Sequence, residues 1–322
     1  MSLSSKIISG GSVASNAIIQ SLSANPAFLT FSSSEGAAIA SRDAEDGSML
    51  SAGIALSMST GVLSDSDRST APTTTITVDS KTPDEVASII MSSLPSTPST
   101  SGRVITIVGL SGVGKGTTVT SLRSLLSSTR SDGDVDKVLA WSNGNVFRSL
   151  TLLTSLHMKE TGKTDVEETI SGPGSSDLKA SMMSMLSFQK NPTTNQLDTR
   201  ITGYGVDYWV SDIQTTELKG PLVSGKIPTV AKATQGEVVK FVKTAVKLLT
   251  EDGIDVIVEG REETVSFVGT EHRFELRMED GTVIGKRRAA QRLAGAFEKR
   301  GVGDVGDEET IRILGEILEQ LM

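Results

Sequence analysis

The chain has 322 residues, a formal net charge of −8 and 37% apolar residues, with no cysteine and only two histidines. The lack of cysteine excludes a disulfide scaffold, a thiolate metal site and a cysteine nucleophile. Two histidines argue against a histidine-cluster metal centre and a Ser-His-Asp hydrolase, and the acidic balance argues against a nucleic-acid-binding protein. Because no run of 18 or more apolar residues is present, we expect no membrane span.

The first hundred residues differ in composition from the rest of the chain. Serine fills 25 of these positions, whereas ten of the twelve aromatic residues lie after position 140. A segment with so little apolar surface gains too little from burial to offset its chain entropy. We therefore expect residues 1–102 to form a largely disordered or targeting extension and residues 103–322 to form the folded domain.

The extreme N-terminus has some features of an organelle transit peptide. Its first 34 residues contain many serines, no acidic residue and a single cation, Lys6. Transit peptides are rich in serine and poor in acids, but they are also usually rich in arginine, which is absent here. The expected location is the cytoplasm or, if this segment is a transit peptide, a plastid or mitochondrion. No compact apolar region follows the N-terminus as a secretory signal would require, so secretion is not expected.

One strand and one helix are predicted inside the extension, over residues 73–94. Residues 73–78 are rich in threonine and β-branched residues, which favour a strand. Thr82 and Pro83 followed by two acids indicate a helix start, because acids stabilise the positive end of the helix dipole.

From Arg103 onward the pattern alternates between strands and helices. The predicted strands are 104–108, 138–141, 254–258 and 273–276, and the predicted helices are 118–126, 146–156, 238–249, 286–299 and 308–321. Such alternation predicts an α/β fold with a parallel sheet flanked by helices. Residues 159–226 are rich in Gly, Pro, Thr and Asn, and they interrupt the alternation as an inserted subdomain.

The strongest motif is Gly-Leu-Ser-Gly-Val-Gly-Lys-Gly-Thr-Thr over residues 109–118, between a predicted strand and a predicted helix. In this context a glycine-rich turn directs backbone N–H groups at phosphate oxygens, and the helix N-terminus adds positive charge. The alternative is a glycine-rich turn without a ligand. The predicted ATP-binding residues are Gly109, Ser111, Gly112, Val113, Gly114, Lys115, Gly116, Thr117 and Thr118.

Lys115 and Thr117 have separate predicted roles within this loop. The lysine can reach the β- and γ-phosphates, and the threonine hydroxyl can hold Mg²⁺. The strict P-loop pattern has Ser or Thr directly after the lysine, whereas this chain has Gly116 at that position.

This loop resembles the P-loop of nucleoside monophosphate kinases, and the nearest resemblance is to the cytidylate kinase family. Three later segments resemble that family in the same order: Ser-Asn-Gly-Asn-Val-Phe-Arg at 142–148, Glu-Gly-Arg-Glu-Glu-Thr-Val at 259–265, and Arg-Arg-Ala-Ala-Gln at 287–291. Together these segments cover about residues 103–300. The resemblance implies a P-loop kinase fold with an inserted substrate-binding subdomain and a lid.

The resemblance also implies an activity, namely magnesium-dependent transfer of the γ-phosphoryl group of ATP to a nucleoside monophosphate, with CMP or dCMP expected. The implied acceptor-binding residues are Asn143, Gly144, Phe147, Arg148, Arg261 and Glu262. The implied catalytic cations are Lys115, Arg261, Arg287 and Arg288, with Arg292 beside them on the lid. The implied magnesium site consists of Thr117 and Glu259.

The residues themselves leave plainer alternatives open for several of these positions. Arg148 and Arg261 follow predicted strands, so we expect them at the carboxyl edge of the sheet, where open α/β folds bind ligands. Arg148 could instead be a solvated helix residue, and Arg261 could form a structural ion pair. Glu259 could be a plain acid at the sheet edge, and the lid arginines could form a solvated helix face.

Several departures from the family pattern keep two other functions open. Phe147 lacks the tyrosine hydroxyl, Asn143 replaces a serine, Gln214 replaces an arginine and Glu262 replaces an aspartate. The terminal helix is also not followed by the Arg/Asp/Arg segment that completes the family's acceptor site. The first alternative is a kinase for another small acceptor. The second is a P-loop domain that serves as a binding or structural module, with the N-terminal extension as its protein-binding element.

Overall fold

The structure is a computed structural model that describes residues 1–95, 101–129 and 137–322. These residues group into two compact units. The helical unit comprises residues 1–44, 110–113 and 278–322. The sheet unit comprises the described residues of 45–109 and 114–277. Residues 96–100 and residues 130–136, which lie between the predicted helix 118–126 and the predicted strand 138–141, are outside this description.

The described residues of the sheet unit contain eight strands. They are β1 Thr74–Thr77, β2 Val104–Gly109, β3 Val138–Ser142, β4 Leu186–Lys190, β5 Leu197–Gly203, β6 Val206–Trp209, β7 Asp255–Gly260 and β8 His272–Arg277. Five of them form an all-parallel sheet in the order β1-β8-β2-β7-β3. The predicted parallel α/β architecture is therefore confirmed.

The central strands of this sheet are β-branched runs that are buried on both faces. Ile105 and Ile107 of β2 and the Val256–Val258 run of β7 are almost completely inaccessible to solvent. Continuous apolar runs of this kind are typical of parallel strands that are covered by helices on both sides. β1 lies at the edge against β8 and buries only Ile76, which suits a strand with one neighbour.

Thirteen α-helices lie in the described residues. They are α1 Leu3–Ile8, α2 Gly11–Leu22, α3 Pro26–Ser59, α4 Pro83–Ser93, α5 Lys115–Thr129, α6 Asn143–Thr161, α7 Val166–Ser171, α8 Ser175–Ser184, α9 Val210–Ile213, α10 Ile227–Glu251, α11 Glu262–Val265, α12 Gly281–Lys299 and α13 Asp307–Leu321. At the predicted start of α4, Thr82 and Glu85 form a reciprocal capping box. No helix among the described residues is long and apolar enough to span a membrane.

The predicted insertion contains its own small sheet. Between α6 and α10 the strands β4, β5 and β6 pair antiparallel in sequence order, and α7, α8 and α9 flank them. Short hairpin connections explain this arrangement, because antiparallel strands need only a turn between them.

The helical unit differs from the disorder expected for the first residues of the chain. Here α1, α2 and the first part of α3 bury Leu3, Ile7, Ile18 and Phe28 with residues of α12 and α13 such as Phe297. The apolar residues of these N-terminal helices are few, but they are spaced so that each helix presents one apolar side. Their packing partners lie more than 250 residues away in the chain, so composition alone could not reveal this core.

Small residues allow close helix packing inside the helical unit. A Cβ atom built on Gly285 of α12 would lie 2.2 Å from the carbonyl oxygen of Ser32 and 3.0 Å from the amide nitrogen of Gly36, both on α3. Contacts this short leave no room for a side chain. The Ser, Ala and Gly content that suggested disorder therefore contributes here to tight packing.

Candidate functional site

The carboxyl ends of β2, β7 and β3 lie side by side in the sheet unit. In the strand register, Ile107 of β2 is opposite Glu259 of β7, and Glu259 is opposite Ser142 of β3. Residues directly after these strands therefore come out at one edge, the edge at which open α/β sheets bind ligands. Lys115, Asn143, Arg148 and Arg261 all follow these strand ends.

The glycine-rich loop after β2 has the backbone of a turn that depends on glycine. Gly112 and Gly114 adopt φ values of 83° and 96°, which side chains with a Cβ atom rarely tolerate. Lys115 begins α5, and its Nζ donates to the carbonyl oxygen of Gly109 at 2.7 Å. The lysine is thus held across the base of the loop that it follows.

The two threonines after the lysine face different surroundings. The hydroxyl of Thr117 is exposed and donates to the carbonyl oxygen of Gly114 at 2.9 Å, which leaves its lone pairs open to a cation. Thr118 is 2% exposed. Of the two hydroxyl groups, only that of Thr117 lies at an accessible surface.

Gly116, between Lys115 and Thr117, lies next to the carboxylate of Glu259. A Cβ atom built on Gly116 would lie 3.8 Å from Oε2 of Glu259, so the carboxylate sits next to the first turn of α5. A hydroxyl and a carboxylate oxygen are hard donors of the kind that Mg²⁺ prefers, and Mg²⁺ commonly keeps several waters. The pair Thr117 and Glu259 therefore fits a magnesium ion held partly through water. No group of three or more acidic or histidine side chains with metal-site spacing occurs in the described residues.

The start of α6 carries two buried or partly buried polar side chains, those of Asn143 and Arg148. Asn143 is 2% exposed, and neither atom of its side-chain amide has a hydrogen-bond partner among the described residues. The guanidinium of Arg148 folds back over Gly144, where a Cβ atom would lie 3.1 Å from Nη1, and Nη1 donates to Asn145 Oδ1 at 3.1 Å. A side chain at position 144 would therefore require the guanidinium of Arg148 to shift slightly.

Arg148 is partly desolvated in this position. Burial lowers the pKa of its guanidinium, and the negative charge of Glu259 opposes that shift. A half-buried cation that faces one carboxylate is prepared to accept a further anion, because its charge is poorly compensated by solvent.

The residues after β7 already have acidic or basic partners. Arg261 Nη2 lies 3.3 Å from Asp46 Oδ2 at the C-terminal part of α3. Glu262 binds the almost completely buried Arg273 at 3.2 Å, and burial raises the pKa of the Glu262 carboxyl while Arg273 lowers it. Phe147 is 5% exposed and packs in the apolar core of the sheet unit.

In the helical unit, an acid contacts the loop residues 110–113. The backbone N–H of Ser111 donates to Oδ2 of Asp43 at 2.8 Å, and Asp43 is buried. Val113 is also buried, and a Cβ on Gly112 would lie 3.0 Å from Ile284. The sequence predicts that Ser111 contacts a phosphate of ATP. In the structure its N–H donates to the carboxylate of Asp43.

The arginines predicted for the lid lie on α12 in the helical unit. Arg292 forms an ion pair with Glu35 of α3 and stacks over the ring of Phe31 at 5.0 Å. Arg288 lies 3.8 Å from the same carboxylate. Arg287 is half-buried and makes no hydrogen bond or ion pair with the described residues.

A cavity of about 370 Å³ opens at the carboxyl edge of the sheet unit. Its walls come from α5, β3, the insertion and Glu259. The polar residues in these walls include Arg123, Trp141, Asn145, Gln196, Asp198 and Gln214. Gln214 Oε1 accepts from Asn145 Nδ2 at 3.3 Å, so the insertion and α6 are joined at this cavity.

Four of these groups were not predicted from the sequence, namely Glu35, Asp43, Arg123 and Trp141. Glu35 and Asp43 are among the first acids after 34 acid-free residues, and that change in composition was a usable signal. Arg123 and Trp141 lie within predicted elements and carry no motif, so only the fold reveals that they line a cavity.

Neither a scan against models of known protein families nor a search of curated proteins finds a match for this chain.

Proposed function

We propose that the sheet unit is a phosphotransferase that moves the γ-phosphoryl group of ATP to a nucleoside monophosphate, with CMP or dCMP as the acceptor. The observation that carries this proposal is the convergence of Lys115, Arg148 and Glu259 behind three adjacent parallel strands, beside a cavity of about 370 Å³. Pockets of a few hundred Å³ at this edge are of the size and place that α/β folds use for small ligands.

Phosphoryl transfer asks little covalent chemistry of the protein, because positioning and charge compensation supply most of the rate. In this proposal Lys115 holds the β- and γ-phosphates. Arg148 and Asn143 hold the phosphate of the acceptor, and Arg261 serves the same anion once Asp46 releases it. An oxygen of the acceptor phosphate forms the new bond to the γ-phosphorus while the bond to the β–γ bridging oxygen breaks.

A bound magnesium ion would neutralise part of the negative charge of the phosphates. Thr117 would hold it through the hydroxyl oxygen, and Glu259 through a water molecule or directly. Gly116 leaves the Glu259 carboxylate without a neighbouring side chain at this position, since a Cβ atom there would lie 3.8 Å from Oε2.

A coupled assay of ADP release tests the proposal with the full chain, ATP, Mg²⁺ and each common nucleoside monophosphate in turn. We expect acceptor-dependent ADP release that is fastest with CMP or dCMP. ADP release that is equal with and without every acceptor would overturn the proposal. Release that depends on a different phosphorylated or hydroxyl-bearing compound would instead support a kinase of another acceptor, an outcome that Gln214 in place of an arginine motivates.

The second candidate is a binding or structural module that retains the P-loop without turnover. It is favoured by the carboxylates of α3, since Asp43 accepts from Ser111 and Asp46 pairs with Arg261. Tight ATP binding without ADP release from any acceptor would support this candidate, and acceptor-dependent turnover would exclude it.

A further inference from the structure

Trp141 is a buried hydrogen-bond donor without an acceptor at the cavity of the sheet unit. This residue lines the cavity and is only 5% exposed. Its indole Nε1 has no hydrogen-bond partner among the described residues. Buried polar atoms are nearly always paired in folded proteins, so an unpaired donor beside a cavity indicates that a ligand or water supplies the acceptor.

The packing of Trp141 fixes this donor in place. Its ring contacts Phe188 of β4 with centroids 5.0 Å apart and Phe241 of α10 with centroids 6.0 Å apart. Because aromatic neighbours hold the indole on two sides, the N–H cannot easily turn away to find another partner. The ring of Trp141 is therefore held in one orientation beside the cavity.

Arg123 adds further donors to the same cavity. Its Nε donates to the carbonyl oxygen of Val138 at 3.1 Å, and its Nη2 lies 3.4 Å from Oε1 of Gln196. Nη1 has no partner among the described residues, so two of the five guanidinium N–H directions are used. These bonds orient the arginine while they leave donors for a ligand.

Two acceptor side chains in the cavity wall, those of Asp198 and Gln214, already accept hydrogen bonds from the protein. Asp198 accepts from the backbone N–H of Thr199 at 2.7 Å and from that of Ser211 at 3.1 Å. Gln214 accepts from Asn145. Glu259 also lines the cavity, and the proposed magnesium ion engages that carboxylate. Trp141 and Arg123 remain as donors for a ligand whose edge carries oxygen acceptors.

We propose that this cavity binds the nucleobase of the acceptor and that Trp141 and Arg123 select a base with a ring carbonyl group. This inference rests on the proposed function and names the two residues that read the acceptor. The indole N–H donates to the carbonyl oxygen, and the guanidinium donates to a second acceptor on the same edge. Cytosine, uracil and guanine carry such a carbonyl, whereas adenine does not. AMP should therefore bind weakly.

The chain offers a direct measurement of binding, because Trp141 and Trp209 are its only tryptophans. Trp209 lies outside the cavity wall, and Arg200 stacks on its ring at 5.7 Å. In the Trp209→Phe variant all indole fluorescence comes from Trp141. We expect a saturable change in emission when CMP, UMP or GMP is added without ATP, and at least a fivefold weaker response to AMP. No change with any of the four nucleotides, or a response to AMP as strong as that to CMP, would overturn the inference.

Trp141→Phe tests the donor itself, with Trp209→Phe as the matched control. The phenylalanine keeps an aromatic ring but removes the N–H. Loss of one neutral hydrogen bond should raise KM for CMP about fivefold to tenfold with little change in kcat, and it should leave KM for AMP unchanged. Equal increases for CMP and AMP would mark a packing effect and contradict the inference. Unchanged KM for CMP would show that the N–H binds water only, which also contradicts it.

These measurements separate failure of this inference from failure of the proposed function. If Trp141 fluorescence responds selectively to carbonyl-bearing nucleotides but no ADP forms, the base site is supported and phosphoryl transfer fails. If CMP-dependent ADP release occurs and Trp141→Phe has no selective effect, phosphoryl transfer is supported and the base site fails.

Discussion

Two sets of hydrogen-bond donors in this protein, one in the sheet unit and one in the helical unit, differ in how fully they are paired with acceptors. In the sheet unit, Trp141 has no partner and Arg123 keeps unpaired donors at the cavity wall. In the helical unit, Arg292 is paired with Glu35 and the Ser111 N–H with Asp43. Unpaired donors beside a cavity call for a ligand, whereas paired ones are already satisfied. The presence of an arginine alone therefore does not mark a ligand site, whereas a buried donor without a partner beside a cavity indicates one.

The largest effect should come from Lys115→Ala, because it removes the cation that the proposal assigns to the β- and γ-phosphates. We expect acceptor-dependent ADP release to fall at least about a hundredfold, as for loss of a preorganised group at a site of developing charge. The change also removes the bond to the Gly109 carbonyl. Circular dichroism and the melting temperature should therefore be compared with those of the wild type. Full turnover in a folded Lys115→Ala protein would remove this lysine from the mechanism.

Arg148→Gln should produce the next largest effect. This change removes a partly buried cation next to the Glu259 carboxylate. Loss of a charge-assisted hydrogen bond to the acceptor phosphate should lower kcat/KM for the acceptor about tenfold to a hundredfold, with KM for ATP little changed. The matched control is Arg200→Gln, whose guanidinium pairs with Asp207 on the insertion. Equal effects of the two changes on kcat/KM would contradict a specific role for Arg148.

Asp43→Asn tests whether the paired state in the helical unit opposes nucleotide binding. The amide keeps an oxygen that accepts from Ser111 but removes the negative charge. We expect ATP to bind about threefold to tenfold more tightly, because a carboxylate next to the loop repels phosphate. Isothermal titration with Asp177→Asn as the control, an exposed acid on α8, measures this change. Weaker ATP binding by Asp43→Asn alone would show that the carboxylate supports the loop instead.

The smallest effect should come from His272 at the amino end of β8, away from the ligand edge. Burial, followed by the positive charge of Arg103, lowers the pKa of this imidazole below its ordinary value of 6.5, and Glu271 and Asp255 oppose the shift. The unfolded chain then binds more protons just below pH 6.5, so this contribution to stability is present above that pH and is lost as pH falls through the folded pKa.

The measurement compares melting temperatures between pH 7.5 and 5. The wild type should lose more stability on acidification than His272→Gln does, by about 2 °C or less, since the imidazole is only partly buried. His157→Gln serves as the control, and neither change should alter KM for either substrate. A large effect of His272→Gln on turnover would contradict the assignment of function to the carboxyl edge.

The sequence predicted the sheet unit better than the helical unit, and the reason is physical. Strands such as 104–108 and 254–258 are β-branched runs, and their alternation with helices permits few arrangements other than a parallel sheet. The helices α1 and α2 contain small residues and few large apolar ones, and their partners on α12 and α13 are distant in sequence. Local composition could not foresee that packing.

The site was predictable to the extent that motifs mark it. The glycines and Lys115 follow from the motif, and the register of β2, β7 and β3 accounts for Glu259 at the same edge. The role of Phe147 as a nucleotide contact stays a prediction, since its ring is buried in the core. Trp141 and Arg123 could not be found from sequence, because cavity walls depend on how the insertion packs on β3 and α5.

The central claim is tested most directly by following the γ-phosphoryl group itself. The full chain is incubated with Mg²⁺, CMP and ATP labelled at the γ-phosphate, and the products are separated. Our account predicts that the label appears in CDP in the same amount as ADP is formed, and that Lys115→Ala abolishes both. Label found only in inorganic phosphate, or ADP formed without labelled CDP or another labelled nucleoside diphosphate, would contradict it.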